Sequence, residues 1–498
     1  MRNVFSPQMS IGQIGIADIQ IDVTSRDDIP VILLGLQQIY TTPSLREAVF
    51  KILEEVLPTK LDNGESKVVS VNKGRRGMDQ WSILVLGSLR LGLNADYDRI
   101  LELANQHKTL REMLGLSYFD ADKRYCLQTL KDNLKLFTPK VMARINFEVI
   151  QAGYQLLDLD IHAQIRGRCD SFVLKTDVHY PTDTNLLYDA IRTLIHLCAK
   201  WHAQHVLPGW RNHESNRRQF KRQYRKLQKL KHSTSKNEDK KAAKELEIKQ
   251  AYQDYIDLAG FYLERTQTSI EVLKNDYKIP EILLADLHTF SQHAERQIDQ
   301  IRRRAILGET IPHAEKVFSL FQPHTEWISK GKAGVPVELG LRVCIMEDSH
   351  GFILHSMVCQ KTTDDKVAVA MVEATKAQFP SFSACSFDKG FHSPDNQKEL
   401  KNHIDQVVLP KKGKLSKADQ EREYSPEFMQ AKKQHSAVES AINALEVHGL
   451  DKCPDHGIDA FERYVALAVL SRNIQKLGVI KRNKERQRLL DEKQKLAA

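Results

Sequence analysis

The patterns that mark a secreted, membrane-spanning or ATP-driven protein are missing from this chain of 498 residues. Its seven cysteines (Cys126, Cys169, Cys198, Cys344, Cys359, Cys385 and Cys453) are odd in number, scattered, and form no CxxC pair. Neither a disulfide framework nor a thiolate zinc site is expected, and a reducing cytosol fits best. No run approaches 18 uninterrupted apolar residues, so no membrane span is expected. The first residues, MRNVFSPQMSIGQIGIADIQ, lack the apolar core of a signal peptide. No HxxxH or HExxH pattern supports a zinc hydrolase, and no GxxxxGK[ST] loop supports ATP-driven chemistry. There is no internal repeat.

What is present is charge. Charged residues make up 28% of the chain, apolar residues 41%, and the net charge is +9 with a pI near 9.0. The apolar fraction is enough for real cores, and domains of about 100–200 residues predict two to four of them. The basic balance favours a polyanionic partner, without separating DNA from RNA or an acidic membrane surface.

Residues 1–165 read as helical, with helices over 44–57, from a cap at Asp79 through 91, over 96–105, 122–136 and 139–157. Gly74-Arg75-Arg76-Gly77 reads as a basic loop. Near 166–178 the period changes: Phe172, Leu174 and Thr176 alternate with Val173 and Lys175, which predicts a strand ended by the HYPTD run at 179–183. Residues 185 to about 306 are helical and basic, with a polar hinge at 233–239 and long helices over 242–263 and 281–304, paired as a hairpin. After Lys330-Gly331-Lys332 strand signals return. Strands over 337–347 and 352–358 flank a turn at 348–351. A helix at 364–379, a strand at 383–387, a strand at 406–409, a helix from about 425 to 447 and a last helix from about 459 follow. A mixed α/β layer, broken by a helical insertion, is the predicted outcome.

Three acids stand out. Asp170 lies in the first strand. Asp388 closes a short apolar strand, and carboxyl ends of strands are where catalytic groups collect in α/β sheets. Glu439 lies on a helix beside the apolar positions Val438, Ile442 and Leu445, with His435 and Asn443 on its own face. Singly, each has a bland alternative as a solvated carboxylate. Jointly, two strand-borne Asp and one helix-borne Glu could hold two divalent cations about 4 Å apart for phosphoryl transfer, and hard oxygen ligands suit Mg2+ or Mn2+. Asp177 is a rival to Asp170. The two have opposite parity, so only one can face a given side of a straight strand, and geometry does not choose between them.

A resemblance does choose. The run DSFVLKTDVHYPTDTNLL (170–187) resembles the first catalytic block of DDE insertion-sequence transposases, in which an Asp nine residues before the His of HYPTD is the first acid. FDKGFHSPDN (387–396) resembles the second block. HSAVESAINALEVHGLDKCPDHGIDAFERYVALAVLSRNIQKLG (435–478) resembles the third, with Glu439 as its acid. ETIPHAEKVFSLFQPHTEWISKGKAGVPVELGL (309–341) resembles a further signature of the bacterial ISNCY-like group. The resemblance covers 170–478. It implies an RNase H-like mixed-sheet catalytic core interrupted by a large helical insertion, with an α-helical N-terminal region. Asp170, Asp388 and Glu439 are then the catalytic and metal-binding residues for two Mg2+ or Mn2+ ions. Where a related group carries Arg before its Glu and Lys after it, this chain has His435 and Glu446.

The organisation expected is therefore 1–165 for DNA-end binding or dimerisation, 166–184 as the first core strand, 185–329 as the basic insertion, 330–480 as the rest of the catalytic domain, and 481–498 as a charged tail. The resemblance implies a polynucleotidyl transferase that cuts transposon ends and joins them to target DNA. The rival readings are an RNase H-like nuclease and an inactive or domesticated DNA-binding relative. Double-stranded DNA is the expected partner, both terminal inverted repeats and target, with a homo-oligomer assembling on it in the bacterial cytoplasm, at the nucleoid. Within 211–231 nine Lys/Arg face one acid, Glu214. Arg217, Arg218, Lys221, Arg222, Arg225 and Lys229 are the expected phosphate contacts on that helix, against the alternative of a solvated face. Trp201, Trp210 and Trp327 could stack on bases, with core packing at least as good an account. Cys453 and His456 have ligand-like spacing but no second pair.

Overall fold

The computed structural model describes residues 3–6, 8–56, 59–62, 65–68, 77–232, 238–329 and 336–497. The basic loop expected at 74–76, the hinge at 233–237 and the Lys330-Gly331-Lys332 segment lie outside them. The chain divides into two compact units: residues 1–177 with 326–498, and residues 178–325.

In the first unit β1 (Thr59–Asp62) and β2 (Glu65–Val68) form a separate antiparallel pair. The main sheet comprises β3 (Ile165–Thr176), β4 (Glu326–Ser329), β5 (Val337–Asp348), β6 (Ile353–Cys359), β7 (Phe382–Phe387), β8 (Gln406–Val408) and β9 (Lys452–Cys453). β5 pairs antiparallel with β3 on one side and with β4 and then β6 on the other. β7 runs parallel to β3, and β8 parallel to β7. The five long-range strands thus lie in the order β6-β5-β3-β7-β8, with helices Asp364–Gln378 and Pro394–His403 as crossovers. This is an α/β fold of the RNase H-like kind. β3 and β5 are neighbours although residues 178–325 separate them in the chain.

Helices Asp28–Thr41, Gln80–Gly92 and Pro139–Leu156 pack on the long last helix, Ile458–Ala497. Side chains at Asp79, Asp96 and Thr138 accept N–H groups in the first turns of three of the N-terminal helices, which explains where they start. At the crossing of Asp28–Thr41 with the last helix the backbones nearly touch. A Cβ on Gly478 would lie 1.9 Å from Val31 O, and one on Gly35 would lie 2.1 Å from Ile474 O. Only glycine fits there. Buried Asn473 ties the same helix to β6: its Nδ2 donates to Ile353 O at 2.9 Å, and its Oδ1 accepts Ile353 N–H at 3.0 Å. Buried Arg90 pairs with Asp455 at 2.8 Å, so Asp455 in the third block holds the frame together.

The helix expected over 425–447 is broken. Pro426–His435 and Ala437–Leu445 meet at Ser436, and an irregular turn follows over Glu446–Leu450, where Gly449 has φ 111°.

The second unit is helical: Asp183–His202, His213–His232, Glu238–Asn275 and Glu281–Ile301. Its core includes Leu187, Ile191, Leu194, Phe220, Leu227, Tyr255 and Tyr262. Trp210 belongs to this core, fully buried with Nε1 donating to Ser269 Oγ at 2.8 Å. All seven cysteines are free. Among the described residues no helix is long and apolar enough to cross a membrane.

Candidate active site

The sheet register brings two of the three acids to one level. Cys169 of β3 lies opposite Phe387 of β7 in the parallel pair. The next residues are Asp170, still within β3, and Asp388, the first residue past β7. Adjacent strands lie about 4.8 Å apart, so the two carboxylates leave neighbouring strands side by side. The third acid arrives on helix Ala437–Leu445, which packs against β3 through a face that buries Val438, Ala441 and Leu445. Glu439 stands next to Val438 and is exposed.

Electrostatics ties these positions together. Burial lifts the Asp170 carboxyl from 3.8 to about 6, partly opposed by the Ser171 N–H, which donates to Oδ1 at 2.7 Å. The negative charges of Asp388, then Asp364, then Glu439 raise it further. A carboxylate surrounded by carboxylates is costly, and such clusters concentrate at functional sites.

Asp364 is a fourth acid, which the sequence reading placed only at the start of a helix. It lies in the first turn of Asp364–Gln378 and accepts the Ser171 hydroxyl at 2.7 Å, with Arg342 Nε 4.0 Å away. A Cβ on Gly390 would sit 3.3 Å from Asp364 Oδ2 and 3.8 Å from Asp388 Oδ2, so the glycine leaves room between those two side chains. An acid at a helix N-terminus is so common a capping residue that no local signal separates this one from the rest.

His435, at the end of helix Pro426–His435, has Nδ1 3.0 Å from Ser386 Oγ and a buried Nε2 without a hydrogen bond. Burial lowers its pKa, while the Asp388 charge pulls the other way.

Among the described residues no group of three or more His, Cys, Asp or Glu side chains is set closely enough to hold a metal ion as placed. The donor chemistry fits a hard divalent cation all the same: oxygen donors only, and mutual repulsion that a cation would relieve.

The other acids of the first block make ion pairs of their own. Asp177 follows the last residue of β3 and pairs with Lys452 at 2.5 Å. Within the helical unit Asp183 pairs with Arg304 at 2.5 Å, and His179 holds Asp189 at 2.6 Å.

Arg217, Arg218, Lys221, Arg222, Arg225 and Lys229 all lie on helix His213–His232, anchored by buried Phe220 and Leu227. Five of them, with Lys226, line a groove of about 960 Å³ in the helical unit. Its twenty residues span about 30 Å.

No curated protein and no solved structure matches the chain. One family model does, over residues 308–474, a stretch of 167 residues that contains Asp388 and Glu439 but not Asp170. That third of the chain is similar to the family described as Transposase DDE domain.

Proposed function

We propose that this protein is a DNA transposase of a bacterial insertion sequence, of the ISNCY-like group, and that it cuts transposon ends and joins them to target DNA. The observation that carries the reading is the parallel register that sets Asp170 beside Asp388, with the charge of Glu439 reaching the same point. The match of residues 308–474 to a transposase domain supports it.

Asp170, Asp388 and Glu439 would hold two Mg2+ or Mn2+ ions. When bound, such a pair supplies activation of the attacking oxygen and stabilisation of the leaving one. The chain's own contributions are positional. The sheet fixes the two aspartates, and the apolar face of Ala437–Leu445 fixes the outward direction of Glu439. The Ser171 N–H holds one oxygen of Asp170, which leaves the other free. The basic helix of the second unit would bind phosphates of the terminal inverted repeats or target DNA, with a homo-oligomer assembling on the DNA in the cytoplasm, at the nucleoid. Residues 1–165 would serve end binding or dimerisation, and 185–329 are the inserted basic region.

The test is incubation with a mini-transposon carrying the native ends and Mg2+, followed by mapping of every cut and joined strand. Cleavage at the ends with strand transfer is expected. Cleavage without joining would make the protein a nuclease, and end binding with neither would make it an inactive relative.

A further inference from the structure

The helical unit contains a second cavity, whose Arg192 and His196 the reading above leaves unused although Arg217 and Lys221 of the basic helix also line it. Its volume is about 710 Å³, within the range of small-molecule sites. One wall is helix Asp183–His202, which contributes Tyr188, Arg192 and His196. The facing wall is helix His213–His232, which contributes Arg217, Lys221 and Tyr224.

Arg192 is set in advance for an anion. Its Nε donates to Asp189 Oδ1 at 2.8 Å, and its guanidinium carbon lies 5.4 Å from the centre of the Phe321 ring. Asp189 is buried, and its other oxygen is 2.6 Å from His179 Nε2. These contacts fix the arginine from behind. Its two terminal nitrogens have no hydrogen bond among the described residues. A guanidinium held in this way matches two oxygens of a phosphate. His196 lies one turn further along the same helix face and, like Lys221 opposite, has no ion-pair partner among the described residues. Arg217 is shared with Glu214 at 2.8 Å. Three permanent cations thus face two carboxylates, both already engaged, and three histidines line the same space. Two walls are aromatic: Tyr188 and Tyr224 stack with ring centres 4.7 Å apart.

We propose that this cavity binds the terminal phosphate of a nucleotide, presented by a DNA strand end or by a free nucleotide. Its volume suits a single nucleotide. Lys221 and Tyr224 also line the groove on the basic helix, so the two share a wall, and Arg192 and His196 belong to this cavity alone. The fork of Arg192 and the Lys221 ammonium provide for the phosphate, and the tyrosines give the sugar or base an amphipathic wall. The proposal stands on the helical unit alone and survives failure of the carboxylate reading.

The experiment uses the full chain and fluorescence anisotropy with two short duplexes, identical except that the strand ends carry a 5′-phosphate or a 5′-hydroxyl. Adenosine 5′-monophosphate and inorganic phosphate serve as competitors. The phosphorylated end is expected to bind about tenfold more tightly, equivalent to about 1.4 kcal/mol. Arg192→Gln and His196→Gln should each reduce that ratio. Because His196 is exposed, its variant should melt at the wild-type temperature, which guards against a folding artefact in the first. If the ends bind alike but the mononucleotide binds with the same sensitivity to Arg192→Gln, the phosphate site stands and the free nucleotide is its source. The proposal is overturned if neither ligand shows a phosphate preference, or if the preference persists in both variants. It is also overturned if the variants weaken both duplexes equally, since the cavity would then be part of the general basic surface. Inability of the wild type to cut DNA leaves this ratio readable.

Discussion

Asp170 and Asp177 share the neighbourhood of one strand and have opposite surroundings. Asp170 is half-buried, and the charges that act on it most are those of Asp388, Asp364 and Glu439. Asp177, just beyond the C-terminal end of β3, is half-exposed and paired with Lys452. The chain neutralises one acid and leaves the other in a cluster of its own sign. Like-charge clusters weaken a fold, so their persistence points to a use. The helical unit repeats the theme with the opposite sign: Arg218, Lys221, Arg222, Arg225 and Lys229 have no ion-pair partner among the described residues.

The largest effect should come from testing that difference directly. Alanine at Asp170, Asp388 or Glu439 is expected to lower end cleavage by roughly a thousandfold or more, since losing even one preorganised electrostatic contact costs about 10²–10³ in rate. Asp177→Asn should leave cleavage within about threefold, as expected of an exposed ion pair. A cleavage assay in which Asp177→Asn is dead and Asp170→Ala is active would reverse the assignment.

A second test concerns the unpaired cations. Each phosphate contact adds about 0.9 to the slope of log affinity against log salt on duplex DNA. Replacing Arg218, Arg222 and Lys229 together with Gln should flatten that slope by up to about 2.7 and weaken all duplex sequences alike. An unchanged slope would make the helix a solvated face. A loss confined to the cognate end would mean base readout.

The third effect is on stability. The folded chain binds the Asp170 proton more tightly than an ordinary aspartate does, at about 6 against 3.8. The stability tied to that proton is fully present below the ordinary value and is lost as pH rises through 6. Asp170→Asn should therefore stabilise the metal-free protein at pH 8 by on the order of 1–2 kcal/mol, with little change near pH 4. Added Mg2+ should raise the wild-type melting temperature more than that of the variant. A variant less stable than wild type at pH 8 would show that the cluster is not strained.

Much of this could be read in the chain, and the exceptions have physical causes. Caps at Asp79, Asp96 and Thr138 and the alternation in β3 are local signals, and the structure has helices and a strand there. Helix Asp28–Thr41 was missed because it buries Ile29, Val31 through Leu36 and Ile39, which leaves no polar face to reveal a period. The β1–β2 pair was missed although Asn63-Gly64, a hairpin signal, lies between the strands. The break at Ser436 was not visible because the residues on both sides suit a helix. Of the candidate acids, Asp388 stood out through its place at the end of a short strand, while Glu439 read alone was as well explained as a surface carboxylate. The choice of Asp170 over Asp177 came from the resemblance alone; the register puts Asp170 and Asp388 each one residue past the Cys169–Phe387 pair. Asp364 needed the third dimension, since only the fold carries its helix to Ser171.

The smallest expected effect probes the other side of the comparison. Lys452 and Asp177 are each about half-exposed, at 53% and 50%. They sit where β9 joins the end of β3, with Lys175 opposite Lys452 and Thr176 opposite Cys453. Lys175 makes its own pair with Asp451 at 2.6 Å, so the junction has a second tie. An exposed pair contributes about 0–1 kcal/mol and is screened by salt. Lys452→Gln should thus lower stability by less than about 1 kcal/mol in urea unfolding, and the difference should shrink in 1 M salt. A loss above about 2 kcal/mol would mean that β9 anchors the sheet as strongly as its long strands do.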